Sequence, residues 1–77
     1  MRIVPKDTES PVLRRVGARI KRLREERGWS QTRLATRSGV NRVYLSGIER
    51  GIRNFTVLHL SKLARAFKVT AGSLLDD

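Results

Sequence analysis

The sequence predicts an all-α domain of five short helices. Three observations point that way. Apolar residues recur at spacings of three and four, as in Leu13, Val16, Ile20 and Leu23, and again in Leu60, Leu63, Ala64 and Phe67. Capping residues stand just ahead of these segments, at Ser10, Ser30, Asn41 and Thr56. No stretch alternates apolar and polar residues as a strand does, and there is neither an internal repeat nor a low-complexity tract.

Residues 1–10 mix charge and polarity around Pro5 without periodicity and read as a flexible arm, so the folded domain is expected over 11–77. Ser10-Pro11 opens the first helix, with serine as N-cap and proline in the first turn. Gly28 closes it. The outer face of this helix is crowded with Arg14, Arg15, Arg19, Lys21, Arg22 and Arg27, and is expected to be mostly solvated. Lys21–Glu25 and Arg22–Glu26 have i,i+4 spacing, which contributes only tenths of a kcal/mol.

Ser30 caps a second helix, Gln31 to Arg37, whose Leu34 and Ala35 share a face before Ser38-Gly39 ends it. Asn41 caps a third, in which Leu45 and Ile48 lie three residues apart on the buried side. Gly51 stops it in the manner of a left-handed C-cap. Ala35, Gly39 and the apolar Val40, Leu45 and Ile48 suit two helices that cross closely at a steep angle, which is a helix-turn-helix. Thr56 caps the fourth helix, and Val69-Thr70 leads into a last turn from Ala71 to Leu75.

The chain has 77 residues, enough for one domain with a core just adequate for folding alone. With no cysteine, neither disulfides nor thiolate zinc sites can staple it. No apolar run approaches the roughly 20 residues that span a bilayer. The start, MRIVPKDTESP, has no signal-peptide apolar segment, so a soluble cytoplasmic protein without a membrane role is expected. The charge is strongly one-sided: 17 Lys and Arg against 7 acids, a net +10. Thirteen of the bases are arginine, whose planar fork suits phosphates and guanine edges. That balance favours nucleic acid over an anionic membrane surface.

Nothing here offers a nucleophile with a positioned base, a metal triad or a phosphate-cradling glycine loop, so neither an enzyme nor a cofactor is expected. The single histidine, His59, has no neighbouring carboxylate that would make it a metal or catalytic residue.

If the third helix enters a major groove, its N-terminal and outward residues reach base edges: Asn41, Arg42, Val43, Ser46 and Gly47. Arg42 can bond guanine O6 and N7 together, worth about 1–3 kcal/mol of discrimination; the competing reading is a phosphate contact. Gly47 costs about 1 kcal/mol against alanine inside a helix, which suggests close approach of backbone to DNA. The interior Gly17 shows that close helix packing explains a glycine equally well. Arg33, Arg37, Arg50, Arg53 and Asn54 are candidates for phosphates, Arg53 also for a narrowed minor groove, and each alone is equally a solvated group. For the Tyr44 hydroxyl a phosphate contact and simple packing weigh alike. Trp29 is expected to wedge against the core beneath the second helix. Phe55, Val57, Leu58, Leu74 and Leu75 can form a self-complementary dimer patch or complete the monomer's own core.

The run from Val16 to Leu75 resembles the Cro and phage-repressor type helix-turn-helix domains. The resemblance rests on Arg24, Trp29-Ser30-Gln31, Leu34-Ala35, Gly39, Ile48-Glu49-Arg50-Gly51 and Leu63-Ala64-Arg65-Ala66-Phe67. Within that family, Arg42 to Gly51 followed by Arg53-Asn54 looks most like controller proteins of restriction–modification systems. The resemblance implies a lambda-repressor-like five-helix domain that binds double-stranded DNA as a homodimer and regulates transcription by blocking or recruiting RNA polymerase. It also implies that Gln31 grips the phosphate chain and that Arg24 and Glu49 form a structural ion pair. Val43 departs from the pattern, standing where relatives often carry a polar base-reading residue, and can meet a thymine methyl there instead. The alternatives are an antitoxin of the same fold that docks on a toxin, and a binder of structured RNA.

Overall fold

The computed structural model describes residues 10–76. Five helices follow one another: α1 (Pro11–Glu26), α2 (Gln31–Ser38), α3 (Arg42–Glu49), α4 (Val57–Phe67) and α5 (Ala71–Leu75). Residues 1–9, most of the expected arm, lie outside the described residues, and so does Asp77. Ser10, counted as the arm's last residue, already belongs to the domain, because its Oγ accepts from the Leu13 N–H at 3.2 Å.

The ends of the helices follow from local chemistry. Ser30, Asn41 and Thr56 cap α2, α3 and α4 through side-chain oxygens that accept from Arg33, Tyr44 and His59 N–H. Thr70, which the sequence pattern did not single out, does the same for α5 through Ser73 N–H. His59 closes a capping box: its Nδ1 accepts from the Thr56 N–H at 3.2 Å. The residue set aside as chemically idle is thus part of a helix start.

The helices enclose a single core of Val16, Ile20, Leu34, Val40, Leu45, Ile48, Leu60, Leu63, Ala64, Phe67 and Leu74. α1 packs against α3 and α5, α2 against α3 and α4, and α4 against α5. A large apolar side chain buried this way contributes about 1.5–3 kcal/mol, against tenths for an exposed ion pair, so the core decides the fold. Leu23, expected on the buried stripe of α1, lies half-buried at its rim. Trp29 wedges against the core as expected, stacked on Phe67 with centroids 5.7 Å apart.

Gly17 sets the closest approach between α1 and α3. A Cβ there would lie 2.1 Å from the Ile48 carbonyl oxygen. Packing of helix on helix is therefore the reason for this glycine.

The basic face of α1 is not simply solvated. Arg15 Nη2 donates to the Leu75 carbonyl at 2.9 Å, Arg19 Nη1 to the Ser73 carbonyl at 2.9 Å, and Arg27 Nη2 to the Phe67 carbonyl at 2.8 Å. Arg15 and Arg19 thus tie Ser73 and Leu75 of α5 to α1, and Arg27, just past α1, ties the last residue of α4. Among the described residues no helix is long and apolar enough to cross a membrane.

Candidate nucleic-acid interface

α3 is held from beneath and left open above. Leu45 and Ile48 are fully buried, whereas Asn41, Arg42 and Val43 at its start are exposed, Val43 by 64%. Spacing accounts for Val43 and Ser46, which lie off the face that carries positions 45 and 48; Arg42, three residues before Leu45, is open because it is the first residue of the helix.

The underside of α3 is fixed by a buried carboxylate. Glu49 takes two hydrogen bonds from Arg24, Nε to Oε2 at 2.7 Å and Nη2 to Oε1 at 3.0 Å, and a third from Gln31 Nε2 to Oε1 at 3.0 Å. Arg24 also donates to the Trp29 carbonyl at 2.8 Å. The bond to Glu49 holds the Arg24 guanidinium above its ordinary pKa, against the opposing pull of burial. The expected Arg24–Glu49 pair is present, and Gln31 joins it. Since Glu49 can only accept, it fixes which end of the Gln31 amide is nitrogen, leaving the second amide hydrogen unclaimed by this bond.

Above α3 lies an open cleft of about 360 Å³ bordered by Arg42, Val43, Ser46, Arg50, Ile52 and Arg53, with Gly47 buried at its wall. Four of the five expected base-reading residues border it. The fifth, Asn41, lines the adjoining groove between α2 and α3 together with Arg42, Thr32 and Thr36. Asn41 caps α3 through its side-chain oxygen, which leaves both amide hydrogens for a base.

Several expectations change in the structure. Gly47 was read as making room for DNA, but a Cβ there would lie 2.9 Å from Cβ of Arg53. The glycine makes room for the chain's own loop. The Tyr44 hydroxyl donates to the Asn54 carbonyl, its ring lies 4.5 Å from that of His59, and the Arg53 guanidinium sits 5.3 Å from its centroid. Tyr44 therefore ties the α3–α4 loop to α3, its proton being unavailable to a phosphate. The Asn54 side-chain oxygen accepts from the Phe55 N–H, which keeps that loop in shape. Arg37 lies over Trp29, 4.6 Å from its centroid, and borders Leu58, Ser61, Lys62 and Arg65 rather than the α3 cleft. Arg33 stays exposed on α2 beside Thr32 and Thr36.

Of the five apolar residues proposed for a dimer patch, one belongs to the core and a second packs against it. Leu74 is 1% exposed and Phe55 packs half-buried against the cluster. Only Val57, Leu58 and Leu75 remain open, Val57 by 79%. Sequence reasoning missed Thr32, Thr36 and Ile52 as neighbours of the reading surface; the i,i+4 spacing of the two threonines was the available signal.

A capped α2, a tight turn through Gly39 and a protruding α3 locked from below define a helix-turn-helix protein. The helix-turn-helix family profile matches residues 20–74, well over half of the chain, and the chain belongs to that family, in its Cro and phage-repressor type. Its fold is similar to that of the restriction-modification controller protein C.AhdI from Aeromonas hydrophila, at 40% identity and a TM-score of 0.77, covering 80% of this chain and 94% of that one. The controller C.Esp1396I, solved as a tetramer on its natural 35 base-pair operator, is 38% identical with a TM-score of 0.78, covering 86% and 87%. The transcriptional regulator SinR of Bacillus subtilis is 40% identical over 63 residues, which are 80% of this chain but 57% of SinR. The crystal structure of SinR in complex with DNA overlays with a TM-score of 0.75, covering 79% of this chain.

Proposed function

We propose that this DNA-binding transcriptional regulator reads a two-fold related operator as a homodimer and controls a restriction–modification operon, its own gene included. The observation that carries the reading is the placement of α3: Arg42 and Val43 stand open at its start while Leu45 and Ile48 are buried beneath them. A helix so mounted enters a major groove with its N-terminal residues against base edges. Arg42 bonds a guanine, and Val43 and Ser46 meet the neighbouring base pairs. The Gln31 amide hydrogen left over from Glu49, and the free N–H groups at the start of α2, bond the phosphate chain. Arg33, Arg50 and Arg53 add phosphate contacts from the flanks. The exposed Val57, Leu58 and Leu75 are the apolar surface offered to a second copy.

The restriction–modification role is supported by the likeness to two controller proteins, C.AhdI at 40% identity and C.Esp1396I at 38%. Bound to its operator beside a promoter, the dimer acts on RNA polymerase by blocking or recruiting it.

Selection of bound duplexes from random DNA tests the reading. The expected product is an inverted repeat whose half-sites lie about one helical turn, roughly 34 Å, apart. Recovery of no preferred sequence removes the operator reading, and recovery of single unrepeated sites removes the homodimer. A methyltransferase or endonuclease gene beside this one supports the operon assignment; a small ribonuclease-like toxin gene in its place overturns it.

A further inference from the structure

The cleft above α3 contains an apolar element that hydrogen bonding to bases does not use. Val43 is 64% exposed and Ile52, just beyond the helix, 37%. Both border the same opening, flanked by Arg42, Arg50 and Arg53. Neither residue serves the core, which draws on Leu45 and Ile48 from the opposite face. Three guanidinium groups on one cleft suit a polyanion and disfavour an apolar protein face as the occupant.

Valine has no donor or acceptor, so it gains nothing from the polar atoms of a base edge. In the major groove the one apolar group that a base pair displays is the 5-methyl of thymine. A 5-methylcytosine carries the same group at the same ring position.

We infer that Val43, backed by Ile52, forms a seat for a pyrimidine 5-methyl group, so that the protein reads a thymine methyl beside the Arg42 contact and responds to cytosine methylation at that position. The inference rests on the major-groove placement of α3 proposed above. Seating the methyl removes it and the Val43 side chain from water, and one buried methylene is worth about fourfold in affinity.

The test uses the full chain and the operator recovered by selection. Each thymine is replaced in turn by deoxyuridine, which deletes only the 5-methyl group, and affinity is measured at fixed salt. One position per half-site is expected to lose about fourfold. Val43→Ala is expected to bind the thymine and deoxyuridine duplexes alike; circular dichroism checks that this exposed substitution leaves the helices intact. Where that thymine is changed to cytosine, 5-methylation of the cytosine is expected to restore about fourfold for the parent chain and nothing for Val43→Ala. Equal binding of thymine and deoxyuridine at every position overturns the methyl seat and leaves operator reading standing. A full deoxyuridine penalty in Val43→Ala overturns the assignment to Val43. A chain that prefers no duplex at all overturns both this inference and the operator reading.

Discussion

Arginine is the commonest charged residue here, and its copies do unlike jobs. Arg24 is a half-buried tie, Arg37 covers an indole, Arg15 and Arg19 hold carbonyls, and Arg42 and Arg53 stand at the cleft. Arg42→Ala is therefore expected to relax discrimination at one base-pair position, read by affinities for single-substituted operators, at about 1–3 kcal/mol. Arg53→Ala is expected instead to weaken all sequences alike and to flatten the salt dependence by about one unit. A shared loss of the same base preference in both variants would contradict this division. Gly17→Ala forces a methyl into the Ile48 carbonyl, where backbone rather than a flexible side chain must yield. It is expected to cost at least about 1–3 kcal/mol in urea or thermal unfolding. The sequence announced the two interior glycines as close approaches and offered helix packing at Gly17, but it did not identify the neighbour of Gly47. For Gly17 the neighbour is another helix, and for Gly47 the chain's own arginine. A missing side chain has no signature of its neighbour.

Helix boundaries were the most legible elements because caps are local chemistry. Ser10, Ser30, Asn41 and Thr56 all accept the expected backbone N–H. The stripes of α1 and α4 were legible too, since several turns of periodicity fix a face. α5 has only five residues, too few to phase, and so Leu74 and Leu75 were not separable; the first is buried and the second open. The C-terminal end of α4 is unusual. Lys68 takes the left-handed conformation (φ 60°) at the position that glycine holds after α1 and α3. There the Val69 N–H bonds the Ala64 carbonyl at 3.0 Å, closing the last turn. A side chain in that region costs about 1–2 kcal/mol, so Lys68→Gly is expected to raise stability by about 1 kcal/mol, seen as a higher unfolding midpoint. An unchanged or lower midpoint would show that the strain is absorbed elsewhere.

For the whole molecule the charge of +10 served as a pointer to polyanions, yet part of it holds the fold together. The latches from Arg15, Arg19 and Arg27 reach main-chain carbonyls 60, 54 and 40 residues away. A carbonyl is present at every residue, so no pattern marked these partners. Arg19→Ala is expected to speed hydrogen exchange of the α5 amides while leaving α2 and α3 protected. Uniform loss of protection across all helices would instead assign Arg19 to global stability. The Glu49 carboxylate works over the same range, binding α1 through Arg24 and α2 through Gln31 while belonging to α3. With one group bonded to both neighbours, a pivot of either motif helix would break a hydrogen bond to the buried Glu49. If the chain reads two half-sites as proposed, adaptation falls to the duplex, and easily kinked pyrimidine–purine steps between them are expected to be bound better than stiff A-tracts.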